Sequence, residues 1–159
     1  MNSRKCADVQ ALILDLDNTH VTLARLRPLL IRPHLRFLVG RIADLQIAIG
    51  DALAAQMGRA GARSARRGGG VPARVRARVE SWIAISNVDI EVGCLKRVIH
   101  HGTRVARRFR TLLGELPVLN QNLHRELFQL ERDLFRIEAL MQEMEMPRRA
   151  VPTSQLPAA

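Results

Sequence analysis

The most regular spacing of apolar positions lies toward the C-terminal end. Leu123, Leu127, Leu130, Leu134, Ile137, Met141 and Met144 follow one another at alternating steps of four and three residues. That alternation predicts one helix over residues 118–146 with a coiled-coil seam along one side. Leu119 lies a step earlier on the seam, and Phe128 and Phe135 beside it are expected to widen the apolar face. A second heptad-like run, Val98, Val105, Phe109, Leu112 and Leu116, predicts a helix from Ile90. It ends at Leu116-Pro117, because the residue before a proline avoids the α region. The later helix carries Glu126, Glu131, Asp133, Glu138, Glu143 and Glu145; the earlier one carries Arg97, Arg104, Arg107, Arg108 and Arg110. Opposite charge favours antiparallel pairing across a short turn. Residues 81–146 therefore read as an α-helical hairpin. Its seam is the candidate interface, covered by residues 90–116 folded back or by another chain.

The N-terminal pattern supports two readings. Ala11-Leu12-Ile13-Leu14 leads into Asp15-Leu16-Asp17-Asn18-Thr19. A short apolar run bounded by turn formers is consistent with a buried parallel strand. Two carboxylates two residues apart converge only where the strand ends between them and the chain turns. There they would serve as nucleophile or as ligands of a hard cation such as Mg²⁺. Val9, Leu12, Ile13 and Leu16 also stand at i, i+3, i+4 and i+7, which is one face of an amphipathic helix. Pro33 opens a helix running to about Leu45 that would bury Leu35, Leu38, Val39 and Ile42. Gln46 to Ile49 is then a candidate second strand, and Asp51 to Met57 the start of another helix. A strand–helix–strand unit of this size is a right-handed crossover with parallel strands.

The Asp-x-Asp-x-Thr stretch resembles the first motif of the haloacid dehalogenase (HAD) superfamily. Arg32-Pro33-His34-Leu35-Arg36-Phe37-Leu38 and the segment Ile42 to Ile49 extend the likeness. They are similar to the branch typified by C-terminal-domain phosphatases and by the phosphatase-like proteins of baculoviruses. The resemblance covers about residues 10–56 of the 159. It implies an α/β fold and a Mg²⁺-dependent phosphatase in which Asp15 takes the phosphoryl group, Asp17 acts as general acid and base, and Thr19 supports the loop. Asp15 and Asp17 would also hold the Mg²⁺. The chain departs from the family's pattern in three places. Gly50-Asp51 stands where the phosphate-binding Ser or Thr belongs, no Lys occurs between Lys5 and Lys96, and Asp89 and Glu91 are misplaced for the later acidic pair. The implied enzyme is thus truncated or degenerate.

Charge changes the picture between these halves. The chain carries +10, from 25 Lys and Arg against 15 Asp and Glu, and all the bases but Lys5 and Lys96 are Arg. Arginine suits bidentate contact with phosphate or carboxylate, although a GC-rich genome produces the same bias. Residues 58–80 read as a flexible Gly/Arg-rich linker. Within it Arg63, Arg66, Arg67, Arg74, Arg76 and Arg78 are candidate nucleic-acid contacts. Cys6 and Cys94 are too few for a disulfide framework or a zinc site. His100-His101 are expected on the surface, since adjacent helical positions do not converge on a metal. Residues 147–159, with three prolines, are expected to be a disordered tail.

Two architectures result. The leading one is an α/β HAD-like portion over residues 1–57, the basic linker, and the helical hairpin. The alternative is all-α, a helical bundle or coiled coil. The matching functions are a HAD-like phosphatase-related protein, or a non-catalytic helical adaptor that assembles through its seam. A basic nucleic-acid-associated protein of viral-nucleocapsid type is a third. No apolar run reaches membrane-spanning length and no signal peptide is evident. An intracellular setting, cytoplasm or nucleus, with no membrane partner is expected.

Overall fold

A computed structural model of the chain describes residues 3–59, 71–87, 89–115 and 121–146. These residues form five helices: α1 (Ser3–Leu26), α2 (Pro33–Arg59), α3 (Val71–Ile85), α4 (Ile90–Glu115) and α5 (Gln121–Glu145). A 3-10 turn, Arg27–Leu29, joins α1 to α2. No strand occurs among the described residues. The α/β expectation is therefore overturned, and the all-α alternative describes the fold.

Helix periodicity wins at both expected strands. Along α1 the buried positions are Val9, Leu12, Ile13, Leu16, Thr19, Thr22, Leu23 and Leu26, one continuous face with the i, i+3, i+4, i+7 spacing of a helix. Leu14, inside the apolar run that suggested a strand, is 46% exposed. Nothing interrupts the stripe before Pro28, so the Asp-x-Asp-x-Thr turn never forms. The second expected strand falls inside α2. There Ile42, Gln46, Ile49 and Leu53 face inward while Ile47 faces out, again with helical spacing. The helix expected to end near Leu45 continues to Arg59.

α1, α2, α5 and α4 enclose the core, each touching the next, and α3 lies outside against α1 and α4. The α4–α5 pair is antiparallel. Lys96, near the start of α4, lies 2.6 Å from Glu145 at the end of α5, while Arg110 pairs with Glu131. The seam residues Leu123, Leu127, Leu130, Leu134 and Ile137 are buried, and Met141 and Met144 are partly buried against the same core. α4 and α2 both pack on α5, so the seam has cover within the chain. Phe128 and Phe135 do not widen it: they lie outside, at 65% and 72% exposure. A Cβ on Gly102 would run into the side chain of Leu134, which marks a close approach of α4 and α5. α2 and α5 are tied by Arg41, whose Nη2 lies 2.9 Å from Oδ2 of the buried Asp133.

The α1–α2 connection is pinned by α4. Glu91 Oε1 accepts the backbone N–H groups of Ile31 at 2.6 Å and Arg32 at 2.8 Å, just ahead of Pro33. Its other oxygen lies 3.3 Å from Arg32 Nε. A carboxylate there also faces the positive end of the α2 dipole. Residues 71–80, assigned to the linker from sequence, open α3, and residues 58–59 close α2. The rest of the linker, Arg63, Arg66, Arg67 and the expected tail at 147–159 lie outside the described residues.

Candidate interaction surface

The aspartate motif sits on a continuous helix, so Asp15 and Asp17 are turned about 200° from each other around the axis. Asp15 is held by α4: Arg104 Nη2 lies 3.1 Å from its Oδ1, and Arg108 pairs with its Oδ2. Thr19 is 2% exposed, inside the bundle. The three residues therefore do not converge on a point in solvent, and the two carboxylates do not fit a shared Mg²⁺. Among the described residues, no three His, Cys, Asp or Glu side chains are grouped as a ligand set for any metal. Asp89 and Glu91 have structural work: Asp89 Oδ1 accepts the Val92 N–H at 3.2 Å, capping α4, and Glu91 holds the α1–α2 connection.

His101 is also not where sequence placed it. It is 2% exposed, with Nε2 3.4 Å from Glu80 Oε1, and Glu80 Oε2 lies 3.3 Å from Arg97. Burial pushes the His101 pKa below the usual histidine value, and the Glu80 carboxylate partly opposes this. On α4, Cys94 is buried, and burial, with Glu91 and Asp89 nearby, raises its thiol pKa to about 11. It is held as the inert thiol, the form that burial in apolar surroundings favours.

α3 is the helix that departs from the usual arrangement. Its inward positions are small: Ala77 and Ala84 are fully buried. A Cβ on Gly93 of α4 would collide with the Ala84 carbonyl oxygen, so the contact is close at that end. Its large apolar residues from Val75 onward point away. Val75 is 57% exposed, Val79 53% and Trp82 71%, and Ile83 and Ile85 are exposed as well. At about 100° per residue, Val75, Val79 and Trp82 fall within an arc of roughly 60°. Arg74, Arg76 and Arg78 are all exposed and stand to either side of that arc. The acid of this helix, Glu80, is turned the other way into its pairs with Arg97 and His101.

Three of the arginines singled out from sequence therefore share a surface with an apolar stripe that sequence reading missed. The signal was present. Val75, Val79 and Trp82 stand at i, i+4 and i+7, opposite Ala77 and Ala84, but the run of Gly and Arg before them reads as linker.

No family model matches the chain, and no curated protein and no solved structure matches it at a significant level. No described helix is long and apolar enough to cross a membrane.

Proposed function

We propose that the protein is a non-catalytic helical adaptor whose docking face is the outer side of α3. One observation carries this reading: α3 buries Ala77 and Ala84 and exposes Val75, Val79 and Trp82. Each large apolar side chain left in water forgoes roughly 1.5–3 kcal/mol of burial. A helix kept only to complete the bundle would gain stability from the opposite orientation. A contiguous exposed apolar patch rimmed by polar groups marks an interaction site in soluble domains. The seam on α5 is occupied by the protein's own helices and serves folding, so docking falls to α3. The Asp15 pairs with Arg104 and Arg108 give that residue a role in joining α1 to α4, which fits an adaptor and not a nucleophile.

A photo-crosslinking side chain placed at Val79, with one at the exposed Asp44 on α2 as control, tests the docking face in the cells the protein comes from. Adducts at 79 well above those at 44 are expected. Equal yields at both positions would remove α3 as the docking face.

A further inference from the structure

We infer that the surface this face docks on is an anionic lipid bilayer, with α3 lying in the plane of the headgroups; this rests on α3 being the docking face. The stripe Val75, Val79 and Trp82 is apolar and narrow, and is bordered on both sides by arginines. At an anionic membrane interface this apolar edge would enter the headgroup–acyl boundary while the flanking basic side chains reach the headgroups. Arginine stems are long enough to follow the apolar edge down and keep the guanidinium in water. Tryptophan suits that boundary, with an apolar ring and one N–H donor.

Charge is arranged to the same end. With Glu80 facing Arg97 and His101 on α4, Arg74 and Arg78 stand clear of the helix's own carboxylate, while Arg76, one turn before Glu80, borders the stripe on the α4 side. The chain as a whole, at +10, adds long-range attraction to a negative surface. Shape agrees. α3 rests on α1 and α4 and leaves Val75, Val79 and Trp82 exposed on its other side, where a planar fluid surface can meet them. Nucleic acid suits the face less well. It would engage the arginines through phosphate but leave Val75 and Val79 wet, and a single aromatic is a poor platform for stacked bases.

Trp82 is the chain's single tryptophan, so its emission reports directly on this face. The whole protein is mixed with vesicles of phosphatidylcholine alone or of phosphatidylcholine with phosphatidylserine. On the mixed vesicles the Trp82 emission moves to the blue and the protein co-sediments. On the neutral ones binding is weaker by about tenfold or more, and added salt weakens the binding to mixed vesicles. Arg74→Gln/Arg76→Gln/Arg78→Gln removes most of the preference for anionic vesicles. Val79→Asp abolishes sedimentation with an unchanged melting curve, because position 79 faces out. Absence of a blue shift on mixed vesicles overturns the proposal. So does a shift produced only by nucleic acid or by an acidic protein, and so does a lowered melting temperature for Val79→Asp, which would show the position packed. If crosslinking at 79 persists while vesicles fail, the docking face stands and the lipid falls; if crosslinking fails, the face itself falls.

Discussion

Leu130→Asp leaves no stably folded bundle. Leu130 is fully buried at the middle of the α5 seam, where α5 meets α4 and α2. Truncating a packed leucine costs about 2–5 kcal/mol. Aspartate adds a carboxylate that must be desolvated without a partner or take up a proton, at a further cost of several kcal/mol. Domain stabilities lie near 5–15 kcal/mol, so the sum consumes most or all of the total. The melting transition seen by circular dichroism should be lost or lowered by tens of degrees. The control lies two residues along the same helix. Arg132 is 60% exposed at its side chain and stands 4.0 Å from Asp133, so Arg132→Gln should cost under about 1 kcal/mol. Equal melting temperatures for wild type and Leu130→Asp would show that the seam is not buried.

Glu91→Ala should be strongly destabilising. The side chain is 8% exposed, and one carboxylate serves two backbone donors and the guanidinium of Arg32. Hydrogen bonds to a charged group are worth about 1.5–3 kcal/mol each, and a buried donor left without a partner costs a similar amount. These contributions overlap, so a total of about 2–4 kcal/mol is expected. Glu91→Gln keeps a carbonyl acceptor and should lose about half as much. The damage should be local as well as global. Amide exchange at Ile31 and Arg32 should accelerate in Glu91→Ala before the rest of the bundle opens. Unchanged protection at those two amides would mean that α4 does not hold the α1–α2 connection.

The parts of the fold that were legible in sequence are those fixed by long repeats and by charge. The α5 seam needs only its own spacing to be read. The opposite charges of α4 and α5 correctly imply antiparallel pairing, as Lys96–Glu145 and Arg110–Glu131 show. Pro33 does open α2. Local runs misled. Ala11 to Leu14 is apolar enough for a strand, and only the stripe continuing through Thr19 and Leu23 to Leu26 reveals a helix. Gln46 is a polar residue in the core of α2, which hides that helix's face from a hydropathy pattern. Phe128 and Phe135 are as apolar as their seam neighbours, and nothing in composition says that they lie outside. α3 was the least legible element, because its buried face is alanine and its large residues point to solvent. Periodicity reads which residues share a face; it does not say which face is inside. The arginines at 74, 76 and 78 were found as charge, without the apolar stripe between them that defines the surface.

The orientation of α3 is the claim on which the docking face and its ligand both depend. Single nitroxide labels at each position from 74 to 84, on a background with Cys6→Ser and Cys94→Ala, measure it through their accessibility to a dissolved relaxant. The expected profile repeats about every 3.6 residues, with maxima at 75, 79 and 82 and minima at 77 and 84. Uniformly high accessibility, as in a solvated linker, or a profile with minima at 75, 79 and 82, would contradict it.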